Sequence, residues 1–331
     1  MNSSHSTARN VVIIIVAVVV IVAAAVFWKS RNALGPGGDF VEYPMTVAND
    51  IPTTVAAAPD GTVWFTIGFA DAIGMIRDGK LLRLPKNKKS VEPVGLAVDA
   101  HGAAWFTDPT QVQISRILPS GEIKSFPLGT PISRLGRLAI APDGAVWFAE
   151  STAFGFTQLK DGQLTHNVPK SAQGGPYGIA VDTKGVVWGT LQGANQLVKI
   201  VPGQNISEFE IPTRGSSPSD VAVDAGGNVW VLEFRGNKIA KFSDGKFTEF
   251  AVPGEWSGLS GVAVDADGSV WFGMVRGHAI GRLRDGQFRI FELPRKDARP
   301  YTVAVDRSGN VWYADISGFV GMLKASAAKR P

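Results

Sequence analysis

The 331-residue sequence contains no cysteine. This absence excludes disulfides, thiolate metal sites, cysteine nucleophiles and lipid attachment through cysteine. Charged residues make up only 19% of the chain and give a net charge of +4, and the basic residues are scattered along its length. Nucleic-acid binding usually depends on a continuous basic surface, so we predict no nucleic-acid partner.

Histidine is also scarce, with four residues that form no motif: His5, His101, His166 and His278. The sequence has no Ser-His-Asp order, no phosphate-binding glycine loop and no zinc-ligand spacing. Glycine (38 residues) and proline (20 residues) are instead abundant. This composition is typical of many short strands that are joined by tight turns.

One long apolar run occupies residues 11–28. It is long enough to cross most of the hydrocarbon core of a bilayer, which indicates a transmembrane anchor. A cleaved signal peptide is the alternative, because the three alanines at residues 23–25 suit a signal peptidase. Residues 1–10 form a tail before the run, and residues 29–38 form a Gly- and Pro-containing linker after it. We expect a single-pass membrane protein with its C-terminal body outside the cytoplasm.

A single pattern recurs through the rest of the chain. Its most regular member is a tryptophan, spaced 41 or 42 residues apart, at Trp64, Trp105, Trp147, Trp188, Trp230, Trp271 and Trp312. Each unit contains four short strand patterns, with an Asp-x-x-Gly hairpin turn before the tryptophan in most units. Such units are typical of β-propeller blades, which stack because one sheet cannot bury both of its faces alone. We interpret the tryptophans as side chains that fill the space between neighbouring blades. We interpret the Asp-x-x-Gly strings as turns, because they lack the ligand spacing of a calcium loop.

The two ends of the array predict how the ring closes. The last unit has a third strand at residues 319–323 but no fourth strand after it. Residues 40–44 have the character of a fourth strand and precede the first unit. We therefore predict an all-β, seven-bladed β-propeller over residues 39–324, closed by this N-terminal strand and preceded by one transmembrane helix. Residues 325–331 are predicted to be a C-terminal tail.

We expect a binding site at the loop face, the end of the ring where the first strand of each blade starts and the second strand ends. The sequence places eight candidate residues there: Asp108, Glu150, Tyr177, Glu233, Ser260, Arg276, Tyr301 and Asp315. The four carboxylates near a central opening predict a polar or cationic ligand or a divalent ion, with Glu150 and Glu233 as the metal candidates. The alternative is that each acid pairs locally with a loop cation or a backbone amide.

Four strings carry a resemblance to a known family: Trp105-Phe106-Thr107-Asp108, Trp147-Phe148-Ala149-Glu150, Phe209-Glu210-Ile211-Pro212 and Ala279-Ile280-Gly281-Arg282. They resemble the repeat of the streptogramin B lyase (virginiamycin B lyase) family, and the similarity extends over about residues 40–324. Related propellers include NHL-type interaction scaffolds. The resemblance implies a seven-bladed propeller and, in the lyases, an elimination that opens a cyclic depsipeptide with Mg²⁺ as cofactor.

The resemblance also implies catalytic histidines, in a Pro-His-Gly-Ile type of string before the first strand of a blade. The seven corresponding positions of this chain hold no histidine; the best match, residues 298–301, carries Tyr301, and tyrosine is a poor replacement as a base. We therefore expect a membrane-anchored module that binds a small molecule, a glycan or a protein. The alternative is a divergent Mg²⁺-dependent carbon–oxygen lyase or lactonase acting on a cyclic ester, and a purely structural module is a third interpretation.

Overall fold

The computed structural model of the chain describes residues 38–90, 93–129, 134–171 and 174–330. The predicted anchor or signal peptide at residues 11–28 lies outside these described residues. Within them, no helix combines the length and the apolar character that a membrane crossing requires.

The described chain forms seven four-stranded antiparallel sheets, the blades. It enters through β1 (Phe40–Pro44), which belongs to the last blade. Blades 1 and 2 contain β2 (Ile51–Ala57), β3 (Val63–Gly68), β4 (Ala70–Arg77), β5 (Lys80–Ser90), β6 (Leu96–Val98), β7 (Ala104–Asp108), β8 (Gln113–Ile117) and β9 (Ile123–Pro127). Blades 3 and 4 contain β10 (Leu135–Ile140), β11 (Val146–Glu150), β12 (Gly155–Lys160), β13 (Gln163–Asn167), β14 (Pro176–Val181), β15 (Val187–Leu191), β16 (Gln196–Ile200) and β17 (Ser207–Glu210).

The remaining blades repeat the same order. Blades 5 and 6 contain β18 (Pro218–Val223), β19 (Val229–Glu233), β20 (Lys238–Ser243), β21 (Lys246–Ala251), β22 (Leu259–Val264), β23 (Val270–Met274), β24 (Ala279–Arg284) and β25 (Gln287–Glu292). Blade 7 contains β26 (Pro300–Val305), β27 (Val311–Asp315), β28 (Phe319–Leu323) and, as its fourth strand, β1.

Strand β1 closes the ring. It pairs antiparallel with β28, from Phe40 opposite Leu323 to Pro44 opposite Phe319. The first strand of every blade contacts the first strands of the two neighbouring blades, from β2 round to β26 and back to β2. The predicted seven-bladed ring and its closure by the N-terminal strand are thereby confirmed, and the seven first strands surround the central axis.

The repeat tryptophans pack between blades, as the sequence predicts. Trp64 of blade 1 is buried against Phe106 of blade 2, and Trp312 of blade 7 packs into the core of blade 1. The turn aspartates help to hold such rings: the indole N–H of Trp105 donates to Asp99 Oδ2 at 3.0 Å. Asp99 Oδ1 accepts from two backbone amides of its own Asp-x-x-Gly turn. These carboxylates therefore organise hairpin turns, at the end of the ring that we call the turn face.

The residues after β28 fold back onto the propeller, whereas the sequence predicts only a tail there. Helix α1 (Ala325–Ala328) buries its last two alanines in the core between blades 6 and 7. Arg282 donates to the carbonyl oxygen of Ala328 at 2.6 Å, and Arg330 forms an ion pair with Asp39 at 2.7 Å. Both ends of the described chain therefore lie together at the turn face.

Candidate functional site

A cavity of about 940 Å³ lies at the loop face, and we call it the funnel. Its described lining comes from blades 1 to 4 and blade 7: Ile51, Thr53, Phe69, Val94, Pro109, Thr110, Arg134, Leu135, Gly136, Ser151, Tyr177, Gln192, Arg299, Tyr301 and Ile316. This described lining includes two arginines and two tyrosines, but neither a carboxylate nor an imidazole. Of the eight predicted site residues, the funnel brings together Tyr177 and Tyr301.

These two tyrosines stand on opposite sides of the ring. Tyr177 lies in β14 of blade 4 and Tyr301 in β26 of blade 7. Their hydroxyl oxygens are 3.1 Å apart, so one phenol donates a hydrogen bond to the other across the axis. Burial raises the pKa of Tyr177 far above the usual tyrosine value. The phenol of Tyr177 therefore keeps its proton at neutral pH.

Arg137 fills the channel on the turn-face side of the tyrosines. Its guanidinium carbon lies 5.9 Å from the ring centre of Tyr177 and 5.7 Å from that of Tyr301. Nη2 is 3.7 Å from Asp220 Oδ2, and Nη1 donates to Thr54 Oγ1 at 3.3 Å. Arg137 and Asp220 also line a second cavity of about 350 Å³, which extends toward the turn face. Arg137 thus separates the two cavities.

The ion pair of Arg137 and Asp220 is buried, with side chains only 9% and 11% exposed. Burial raises the pKa of Asp220, and the positive charge of Arg137 opposes that rise. Asp220 also accepts from the backbone amides of Val221 and Val262, while Nε of Arg137 has no acceptor among the described residues. We call Arg137, Asp220, Tyr177 and Tyr301 the axial plug; its two charges offset each other.

The edge of the funnel carries cations and an aromatic ring. Arg134 and Arg299 line it with exposed side chains, and within the described residues neither guanidinium pairs with an acid. Phe69 is 57% exposed and has a φ of 59°, in the left-handed region that bulky residues rarely adopt. The equivalent residues of other blades, such as Phe154 and His278, have the same positive φ, so this conformation belongs to the repeated turn before the third strand.

The four predicted carboxylates are absent from the described lining of the funnel. Each is buried at the end of the second strand of its blade. Asp108 Oδ2 lies 3.3 Å from the buried Nζ of Lys86, and Glu150 Oε2 accepts from Thr157 Oγ1 at 2.9 Å. The structure therefore gives these acids local contacts in the body of the ring.

Asp315 and Glu233 differ in how their charge is balanced. Asp315 accepts from the guanidinium of Arg295 and from the backbone amide of Arg299. Glu233 is fully buried, and neither of its oxygens meets a described partner in hydrogen-bond geometry. Burial, followed by the negative charge of nearby Glu249, raises the pKa of Glu233 to about 7. The pKa of Glu233 is therefore close to neutral, but its carboxyl does not reach the funnel.

Ser260 and Arg276, the other two candidates, are also separate from the described funnel lining. Ser260 donates its hydroxyl to the carbonyl oxygen of Pro300 at 3.2 Å. The guanidinium carbon of Arg276 lies 5.8 Å from the ring centre of Trp256, which is 60% exposed. Ser260 thus contributes to packing at the ring, and Arg276 to an exposed aromatic contact on the loop face.

The described acids do not fit the Mg²⁺ that the resemblance implies. Mg²⁺ requires several oxygen ligands in near-octahedral geometry around one point. Within the described residues, no group of three or more His, Asp or Glu is arranged to hold a metal ion. The two metal candidates, Glu150 and Glu233, lie in blades 3 and 5.

The described histidines likewise lie away from the funnel. His166 Nδ1 is 3.0 Å from Thr157 Oγ1, on the outer strands of blade 3. His278 Nδ1 is 2.7 Å from the carbonyl oxygen of Ala298, and His101 lies in a hairpin turn at the turn face. His278 therefore stabilises the loop that contains Ala298, whereas His101 lies at the turn face and His166 lies on the outer strands of blade 3.

Sequence reasoning missed the charged pair of the axial plug. The seven residues at the same position of the first strands are Thr54, Gly95, Arg137, Gly178, Asp220, Gly261 and Thr302. Only two of these residues are charged, and their charges are opposite in sign. This pattern could have predicted an ion pair at the axis, because the first strands of a propeller surround the axis.

Sequence comparison relates this chain to the virginiamycin B lyases. The sequence model of the virginiamycin B lyase family matches residues 32–160 and 137–328. The virginiamycin B lyase of Nocardia farcinica is 29% identical over 183 residues, which is 55% of this chain and 62% of that protein. The chain thus matches less than two thirds of the length of this relative.

Solved structures share the fold. A streptogramin B lyase structure superposes with a TM-score of 0.81 at 22% identity, and the match covers 86% of this chain and 96% of that one. A catalytically inactive histidine-to-alanine variant of the Staphylococcus aureus virginiamycin B lyase, solved with quinupristin, also has a TM-score of 0.81. It is 26% identical, with 86% of this chain and 98% of that chain covered.

Proposed function

Because this chain belongs to the virginiamycin B lyase family, we propose that it is a streptogramin-lyase-like propeller that binds a ligand in the funnel without breaking it. The observation that carries this proposal is the composition of the funnel. It has the volume of a small-molecule site and an apolar and aromatic lining. Its described lining offers two guanidinium groups and two phenols for orienting a ligand, and no carboxylate or imidazole.

The chemistry of this lining favours binding over elimination. Removing a proton next to a carbonyl group requires a base whose pKa lies near neutral pH. Burial raises the pKa of Tyr177, so its phenol stays protonated at neutral pH and cannot accept the proton of a substrate. Glu233 has a pKa of about 7, but it is buried in blade 5 and does not line the funnel. The relative solved with quinupristin was inactivated by the loss of a histidine, and the funnel described here has none.

We extend the proposal to the location of the protein: residues 11–28 anchor it in a membrane, with the propeller outside the cytoplasm. Phe40 pairs with Leu323, which in turn pairs with Val311 beside an Asp-x-x-Gly turn. The chain therefore enters the ring at the turn face. An anchor attached there leaves the funnel, on the opposite face, directed away from the membrane and open to a small molecule, a glycan or a protein segment.

Quinupristin binding and turnover test the proposal. The propeller body is titrated with quinupristin by calorimetry, and the mixture is then analysed by chromatography for ring-opened product. We expect saturable binding and no product. Phe69→Ala should weaken binding about tenfold through lost apolar contact. Phe154→Ala is the matched control, because Phe154 is 49% exposed in the equivalent turn of blade 3, with a φ of 54°, outside the funnel.

The same assay detects the alternative function, a divergent Mg²⁺-dependent lyase or lactonase. Elimination gives a linear product with the mass of quinupristin, whereas hydrolysis adds one water. Ring opening at enzyme-like rates that is lost in Glu150→Gln or Glu233→Gln would overturn the binding proposal in favour of catalysis. Failure of quinupristin to bind in a Phe69-dependent way would overturn the assignment of the funnel as the binding site for this ligand.

A further inference from the structure

We propose that the ligand of the funnel is a carboxylate, or a comparable monoanion, carried on an apolar or aromatic body. This inference rests on the proposed function, because it specifies the chemical class of molecule that the funnel binds. The juxtaposition that carries it is two arginines without an acidic partner among the described residues and a phenol pair, around an apolar cavity with no acid in its described lining.

The charge of the funnel is set by Arg134 and Arg299. Two other arginines of the described loop face are paired with acids: Arg295 contacts Glu42 and Asp315, and Arg83 contacts Asp50. Within the described residues, Arg134 and Arg299 have no such partner. Two cations near a low-dielectric cavity raise the local concentration of anions and lower that of cations.

The described acids nearest to the funnel lie outside its described lining. Asp315 accepts from the backbone amide of Arg299 at 2.8 Å, and its fully buried carboxylate shares Arg295 with Glu42 and Asp297. Below the tyrosines, Arg137 is balanced by Asp220. The axial plug therefore adds no net charge, and the charged side chains in the described lining of the funnel are its two exposed guanidinium groups.

The tyrosine pair adds a hydrogen-bond donor. When one phenol donates to the other, the accepting phenol still has its own proton, and no described residue accepts it. This proton is available to an oxygen of the ligand. A carboxylate suits the arrangement better than an amide or ester, because hydrogen bonds to a charged acceptor are shorter and stronger and because guanidinium binds carboxylate through two parallel bonds.

The remaining lining defines the body of the ligand. Ile51, Phe69, Val94, Leu135 and Ile316 give the funnel an apolar wall. Burial of apolar surface against these side chains supplies affinity, while the arginines supply orientation. A small inorganic anion would leave this wall exposed to water, so an amphipathic organic anion fits better.

A matched pair of probes tests the charge class. N-(2-naphthoyl)phenylalanine carries an aromatic body with a carboxylate, and its primary amide has the same body without the charge. We measure both affinities for the propeller body by calorimetry at low and at high salt. The acid should bind about tenfold or more tighter than the amide at low salt, and this ratio should decrease at high salt because ions screen exposed charges.

Arginine variants locate the effect. Arg134→Gln and Arg299→Gln should each remove most of the preference for the acid, because they should weaken binding of the acid much more than binding of the amide. Arg235→Gln is the matched control, since Arg235 is an exposed arginine of the loop face that is absent from the funnel lining. The control variant should keep the wild-type preference.

Three outcomes would overturn the inference: equal affinity for acid and amide, a preference that survives in both arginine variants, or no binding of either probe. None of these outcomes affects the proposed function if quinupristin still binds in a Phe69-dependent way. If quinupristin does not bind but the preference for the acid probe remains, quinupristin is excluded as a ligand of the funnel, whereas the inference that the funnel binds anions stands.

Discussion

The hydroxyl groups of Tyr177 and Tyr301 meet at 3.1 Å, although their blades lie on opposite sides of the ring. A seven-bladed ring leaves an open channel along its axis unless side chains from the first strands fill it. Here the two phenols close the channel above Arg137 and create a floor for the funnel. The binding site proposed above therefore depends on residues that also hold the ring together.

Removing one of these hydroxyls should show how strongly the floor is coupled. Tyr301→Phe should lower the free energy of unfolding by about 1 kcal/mol, because one cross-ring hydrogen bond is lost. Tyr177→Phe should have a similar effect, and the double variant should lose little more than either single variant. Urea unfolding of the four proteins measures this coupling. Tyr43→Phe is a suitable control, since Tyr43 stacks on Trp312 and its hydroxyl has no described partner.

The buried ion pair beneath the floor should be more sensitive than any exposed pair. Asp220→Asn leaves the guanidinium of Arg137 buried without a counter-charge, so we expect a loss of about 3–5 kcal/mol in unfolding free energy. Arg137→Met combined with Asp220→Asn should recover part of that loss, because both charges are gone. Asp143→Asn breaks the exposed pair with Lys160, at 2.7 Å, and should cost about 1 kcal/mol or less. Equal losses in the two Asn variants would contradict the role assigned to the axial plug.

The blade count, the closure and the turns could be predicted from the sequence, because each depends on a pattern that repeats along the chain. The tryptophan spacing gave the seven sheets, and residues 40–44 matched the missing strand. The orientation of the four acidic side chains could not be predicted in the same way. Asp108 was placed correctly at the end of a second strand, but both faces of that sheet pack against neighbouring blades, so its side chain points between blades and contacts Lys86.

Residues that reach the axis come from the first strands, and their contacts join distant parts of the sequence. Arg137 and Asp220 are 83 positions apart, so only the closed ring shows that they meet.

The pairing of aromatic residues with glycine across neighbouring strands was not predicted either. Phe272 faces Gly281 on the next strand, where an added Cβ would lie 2.2 Å from the aromatic ring. The aromatic residue after the tryptophan therefore requires a small partner on the third strand.

The closure of the ring should depend on Arg295. Its guanidinium lies 3.1 Å from Glu42 of β1, contacts Asp315 of β27 and covers the ring of Phe319. Arg295→Gln would leave two buried carboxylates without their counter-charge and should lower the free energy of unfolding by about 3 kcal/mol or more. Thermal and urea unfolding check this value. Arg284→Gln, which breaks an exposed pair, should change stability by about 1 kcal/mol or less; a comparable loss there would argue against a special role of Arg295.

Glu233 should make stability depend on pH. Burial and the charge of Glu249 raise its pKa to about 7 in the folded protein, from an ordinary value of 4.5. Below the ordinary value, the carboxyl is protonated in both the folded and the unfolded state, so it adds no pH dependence. Between the two values only the folded protein keeps the proton, and stability falls as pH rises. Above about pH 7 the full cost is present, at most about 3 kcal/mol.

Glu233→Gln should remove this cost, because a glutamine cannot ionise. The unfolding free energy of the variant relative to wild type should therefore increase between about pH 5 and about pH 8, by about 2 kcal/mol. Urea unfolding at several pH values measures the difference. Asp143→Asn is the control, because a hydrogen bond from Lys160 holds the pKa of Asp143 below its usual value. The contribution of Asp143 to stability therefore changes only at acidic pH. The effect of Asp143→Asn on the unfolding free energy should be constant between about pH 5 and about pH 8. A pH-independent difference for Glu233→Gln would show that the folded protein holds Glu233 ionised throughout.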